Sequence, residues 1–162
     1  VVFEPIIFPS PDVGPQGEPT PMIAAARNRR ATFDSYEAAI ERYASKPPMQ
    51  FFDADILRAY VEQGFTPIGA GAGVELRCAP EHEARTFETG GTHGFWDLLP
   101  EVEARVIVVS GKVDEERSPA GIAASVAERL PNGSYIELTA GNHLTPFITP
   151  DVIADLLRDT LS

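Results

Sequence analysis

The last third of the chain alternates strand and helix so regularly that few folds remain open to it. Residues 105–111, "RVIVVSG", are a continuous β-branched run without polar alternation, the pattern of a parallel strand covered on both faces. "PAGIAASVAERL" (119–130) follows as a helix with proline in its first turn, and "SYIELTA" (134–140) is a second strand. "TPDVIADLLRDTL" (149–161) is a second helix, capped by Thr149 with Pro150 at its start. Strand, helix, strand, helix with short connections implies right-handed crossovers in a parallel sheet. The opening "VVFEPIIFP" adds an apolar β-branched strand that ends at Glu4-Pro5 or continues to Phe8. The fold class is therefore α/β, and these segments read as part of a doubly wound parallel sheet.

Between the first strand and the last third, a loop dense in proline and glycine, "PSPDVGPQGEPTP", leads into a region with mostly helical signals. Thr20 can cap a helix through "MIAAARNRR" with Pro21 in its first turn. Asp34 and Glu37 have capping-box spacing ahead of "YEAAIERYAS", and Asp53 can cap "ADILRAYVEQ", which Gly64 closes. Tyr36, Ile40 and Tyr43 recur at helical intervals, as do Ile56, Leu57, Tyr60 and Val61. "GAGAGVELRC" gives a glycine turn and a short alternating stretch, and "PEHEARTFE" one more helix. The expected organisation is a core strand at 1–9, an inserted helical cap at 10–104 and a C-terminal α/β core at 105–162.

Composition narrows what such a chain does. At 162 residues and 43% apolar it has material for one domain's core. Thirteen basic against 24 acidic residues give a net charge of -11, which repels nucleic acid and anionic membranes, so neither is an expected partner. A single cysteine, Cys78, excludes an internal disulfide and fits a reducing, cytoplasmic compartment. The apolar opening is short, lacks a basic leader and is broken by Pro5 and Pro9, so it reads as a buried strand and not as a signal peptide; no window reaches the roughly eighteen apolar residues of a membrane span. His82 and His93 lie away from strand ends and read as exposed, and no two of the three histidines have metal-site spacing. "GAGAG" lacks the preceding strand, following helix and lysine of a phosphate loop. Neither a metal nor a cofactor is expected.

Open α/β sheets place their sites outside the carboxyl ends of the strands. Asp114 follows the strand at 105–111 in "SGKVDEERSP", and His143 follows the strand at 134–140 in "TAGNHLTP". Neighbouring parallel strands lie about 4.8 Å apart, so loops at one end can bring an acid to a histidine. An acid that orients a histidine as general base is two thirds of a catalytic triad.

The whole chain resembles the C-terminal portion of an α/β-hydrolase, in particular the capped esterase and lipase-like members. "VVFEPIIFP" is similar to the sixth strand of that fold, "VIVVSGKVD" to the seventh with its G-x-x-D acid turn, and "GNHLTPFITPDVIADLL" to the terminal G-x-H loop with its helix. The resemblance implies an acyl hydrolase in which Asp114 is the triad acid and His143 the base. Glu4 is the alternative acid, because some hydrolases carry it after the sixth strand. Trp96, Phe95 and Tyr60 would line the substrate pocket.

The family's nucleophile stands on a G-x-S-x-G turn, and none of the eight serines here has glycine two places to either side. A three-stranded sheet also leaves an edge unpaired. The expectation is a piece of a split hydrolase, completed by an N-terminal fragment of roughly a hundred residues that carries the nucleophile elbow, acting on a small acyl substrate. A different class also fits the residues: a non-catalytic module that keeps the hydrolase architecture and binds a small apolar ligand or a protein.

Overall fold

The computed structural model describes residues 1–9, 21–69, 71–90, 93–113 and 118–161. In chain order the elements are β1 (Val2–Phe3), α1 (Pro21–Arg27), β2 (Thr32–Phe33), α2 (Tyr36–Ala44), α3 (Ala54–Gly64), β3 (Phe65–Pro67), β4 (Val74–Leu76), α4 (Pro80–Thr89), β5 (Val106–Gly111), α5 (Pro119–Arg129), β6 (Gly133–Leu138), α6 (Thr145–Ile148) and α7 (Pro150–Leu161). Two 3-10 turns, Met49–Phe51 and Phe95–Glu101, interrupt the connections. The described residues fall into two compact units. One lies within Val1–Gly17, Thr89–Pro146 and Val152–Ser162, and the other within Glu18–Glu88 and Phe147–Asp151.

The first unit is built on a parallel sheet with strand order β1-β5-β6. Val2 and Phe3 pair with Val108 and Val109, and β6 runs beside β5 from Val106↔Gly133 to Gly111↔Leu138. The β-branched run at 105–111 thus becomes the central strand, with Val108 and Val109 wholly buried. Helix α5 covers the sheet because Ala120, Ala123 and Ala127 keep one face small while Ile122 and Val126 fill the space beside Val108, Leu99 and Leu130. Each such aliphatic side chain, fully buried, contributes about 1.5–3 kcal/mol. Ser118 starts the helix by accepting the Gly121 N–H at 3.0 Å. Residues 93–104 belong to this unit, and Trp96 packs on its core.

Beyond the helices expected there, the second unit holds a small antiparallel sheet, order β2-β4-β3. Its strands of two or three residues are too short for a period-two pattern to show. Phe33, Ala39, Val61, Phe65 and Val74 form its core, with Phe33 edge-on to Phe65 at 5.7 Å between ring centroids. Asp53 caps α3 as expected, its carboxylate accepting the Asp55 and Ile56 N–H groups. Helix α2 departs from the capping box expected at Asp34: Ser35, in extended backbone, is the cap and accepts the Ala38 N–H at 3.1 Å. Its hydroxyl stands three residues before the donor it must reach, as an N-cap requires. Thr20, the expected cap of α1, lies outside the described residues.

Candidate functional site

β1 ends at Phe3, and Glu4 continues the ladder for one more bond, its N–H donating to the Val109 carbonyl at 2.8 Å. At Glu4 the backbone then takes a φ of 44°, a left-handed conformation that a non-glycine residue adopts at a cost of about 1–2 kcal/mol. That turn drives the side chain inward: Glu4 is 3% exposed. A carboxylate so buried requires partners, and it has two. The Gly111 N–H donates to Oε1 at 2.8 Å, and His143 Nδ1 lies 2.5 Å from Oε2.

His143 reaches Glu4 because the loop after β6 is held at several points. The Gly141 N–H closes a turn on the Leu138 carbonyl, and the Lys112 N–H donates to the Gly141 carbonyl at 2.9 Å, tying the end of β5 to the loop. The buried Thr145 hydroxyl accepts the Asn142 N–H at 2.7 Å, and Asn142 Oδ1 accepts the Leu144 N–H at 2.8 Å. At Gly111 the loop passes so close that a Cβ would stand 2.5 Å from the Asn142 Cα. Only a residue without a side chain lets strand and loop meet at this distance.

An ionised carboxylate only accepts, so its bond to Nδ1 fixes the proton there and leaves the Nε2 lone pair free. The imidazole is 63% exposed while its carboxylate is 1% exposed. The carboxylate is thus kept inside while the imidazole ring reaches solvent. A cavity of about 290 Å³ opens at this point, lined by Glu4, Lys112, Ser118, Asn142, His143 and Leu144 among others. The arrangement can accept a proton at Nε2 and stabilise the imidazolium that results.

The sequence-derived residues are distributed as follows. Glu4 and His143 are brought together; Asp114 lies outside the described residues. Trp96 turns to the core of the first unit, with the Arg129 guanidinium 4.9 Å from its ring centroid. Phe95 is exposed and stacks on His93, with ring centroids 4.8 Å apart. His93 is half-buried where the sequence suggests exposure: its Nδ1 accepts the Phe95 N–H, and its Nε2 lies 3.1 Å from the Ile6 carbonyl, which it serves as donor. Tyr60 belongs to the second unit, where its hydroxyl accepts from Arg29 and its ring meets Tyr43 edge-on. Gly111, noted in the sequence only as part of the G-x-x-D turn, and Lys112 and Asn142, to which sequence reasoning gave no role, complete the site. The signal for them was positional, since all three follow the carboxyl ends of β5 and β6.

Among the described residues, no group of three His, Cys, Asp or Glu side chains converges as a metal site would, and no helix is long and apolar enough to cross a membrane.

A scan against models of protein families finds no match, and a search of curated proteins finds none either. Solved structures do match. E-2-(acetamidomethylene)succinate hydrolase is similar over 85% of this chain and 49% of its own, with a TM-score of 0.65 and 17% identity. The peroxisomal alpha-beta-hydrolase Lpx1 from Saccharomyces cerevisiae is similar over 98% of this chain and 45% of its own, with a TM-score of 0.70 and 15% identity. The chain spans about half the length of the structures it matches, and what it has is a partial α/β-hydrolase fold.

Proposed function

We propose that this chain supplies the base and acid of an acyl-hydrolase site, with His143 as general base and Glu4 as the carboxylate that orients it. The observation that carries this reading is the buried Glu4 carboxylate held 2.5 Å from His143 Nδ1 at the edge of a cavity. A carboxylate stripped of water and placed in strained backbone is an expensive arrangement for a merely structural ion pair. The expense is understandable where an imidazole must be held in one tautomer.

In the reaction, His143 Nε2 takes the proton of a serine hydroxyl as the serine attacks an ester or similar acyl carbon. The leaving group then receives that proton from the imidazolium. Glu4 stays ionised throughout and offsets the transient positive charge. The serine and the oxyanion-stabilising N–H groups belong to a segment outside this sequence, which pairs with the sheet described above. The second unit is the cap of this reading. Asp114, which the resemblance offers as acid, would have to replace an interaction that Glu4 already makes.

A fluorophosphonate probe tests this directly. The chain joined to a segment that carries the nucleophile elbow should label at a serine of that segment, and His143→Ala should reduce labelling on the order of a thousandfold or more. Stoichiometric labelling of His143→Ala at the wild-type rate would refute the assignment. A folded, unlabelled wild-type assembly would favour a binding module that keeps the architecture without turnover.

A further inference from the structure

Among the described residues, three ionisable side chains line the cavity at the Glu4–His143 pair: Glu4, His143 and Lys112. The first two are engaged with each other, and both Glu4 carboxylate oxygens are bonded, Oε1 to the Gly111 N–H and Oε2 to His143. The Lys112 ammonium has neither an ion pair nor a hydrogen bond among the described residues, in a protein of net charge -11 where anionic partners abound. Asn142 is the neighbouring polar wall. Its Oδ1 already accepts the Leu144 N–H, and its NH2 group keeps two N–H donors for a ligand. Among the described residues, Lys112 and the Asn142 amide thus bring N–H donors to the cavity, one of them positively charged, and the ligand group that complements them is an anionic acceptor.

The position is set by the same clamp as the site itself. Lys112 directly follows Gly111, whose N–H holds Glu4, and its own N–H is bonded to the Gly141 carbonyl, two residues before His143. Its side chain is thus rooted on the backbone that fixes the imidazole. The rest of the protein repels anions at long range, but screening at physiological salt confines that repulsion to about 8 Å, so a ligand at the cavity answers mainly to the groups it touches.

Resting on the hydrolase reading above, we infer that Lys112 is a specificity-determining residue that receives the carboxylate of an anionic acyl substrate, such as a monoester of a short dicarboxylic acid.

Two measurements test this and keep it separable from the parent reading. In the first, monomethyl glutarate and the uncharged methyl pentanoate are titrated into the isotope-labelled chain, following the Lys112 and Gly141 amides and the His143 ring by NMR. Saturable shifts are expected for the anionic ester alone, weakening with added salt, with affinity about tenfold lower in Lys112→Met and largely kept in Lys112→Arg. Equal binding of both esters, or unchanged binding in Lys112→Met, overturns the inference. In the second, the chain joined to the nucleophile-bearing segment is assayed on mono-4-nitrophenyl glutarate and on 4-nitrophenyl pentanoate. The ratio of their kcat/KM values should fall about tenfold in Lys112→Met, mainly through KM of the anionic ester. An unchanged ratio overturns the inference even if both esters turn over. Carboxylate-selective binding without turnover of either ester would sustain the inference about Lys112 and defeat the hydrolase reading alone.

Discussion

Glu4 concentrates the site's chemistry in one residue, since its backbone, its burial and its two bonds all serve one orientation of His143. Replacing it with glutamine isolates the charge from the shape. The amide oxygen of the substituted side chain can still accept the Gly111 N–H, but the other arm then presents an NH2 group to Nδ1. Nδ1 must become the acceptor, the proton moves to Nε2, and the base loses its lone pair. Glu4→Gln is expected to keep its fold by circular dichroism while phosphonate labelling of the joined protein falls on the order of 10³–10⁴-fold. Gly111 is the complementary case, where shape matters and charge does not. A methyl group at 2.5 Å from the Asn142 Cα forces strand and loop apart, so Gly111→Ala should cost about 1–3 kcal/mol in urea denaturation and slow labelling as well. The histidine was legible in the sequence from its place after a strand. Its observed carboxylate partner, Glu4, was legible in the sequence only as the alternative to Asp114, because the inward turn of a side chain after so short a strand leaves no residue pattern. Gly111 was legible only as part of a turn motif, since its close contact depends on the register between β5 and the loop after β6.

At the level of elements, apolar runs and caps were readable where they were long. β5, β6, α5 and α7 fall within a residue or two of their expected limits, since each repeats its pattern over six residues or more. The small sheet of the second unit was not readable, because β2, β3 and β4 owe their existence to the aromatic core that they enclose. That core has its own polar network: Arg29 donates through Nε and Nη2 to the Tyr43 and Tyr60 hydroxyls, and through Nη1 to both Glu83 carboxylate oxygens at 3.0 Å. Burial pushes the Tyr43 hydroxyl above its ordinary range, against the lowering effect of the Arg29 guanidinium. The folded state therefore holds this proton more tightly than the unfolded chain does. The contribution is fully present below the unfolded tyrosine value of about 10 and is lost as pH rises through the folded value. Urea stability measured by a signal from this unit should decline on raising the pH past about 10. In Tyr43→Phe the decline should be shallower, and an equally steep decline there would show that another group governs it.

For the molecule as a whole, the sheet is where stability and the candidate chemistry meet. β1 contributes only two residues and stands at one edge of the described strands, and Glu4 follows it immediately. Helix α7 carries Val152 and Leu157 exposed, and none of its described side chains is fully buried. Such weakly packed elements open locally at far lower free energy than a central strand such as β5. Hydrogen exchange of the isolated chain should therefore be fastest in β1 and α7 and slowest in β5. A segment carrying the nucleophile, if it completes the sheet as proposed, adds its neighbouring strand beside β1 and leaves β6 at the opposite edge. Protection should rise first in peptides spanning residues 1–9, with β6 little changed. Because the Glu4 N–H is the next rung of the same ladder, ordering β1 also orders the acid. Protection of β1 and the rate of phosphonate labelling should consequently rise together as the segment is titrated in. Full labelling with β1 still exchanging as in the isolated chain would break that coupling, and with it the idea that completing the sheet is what readies the site.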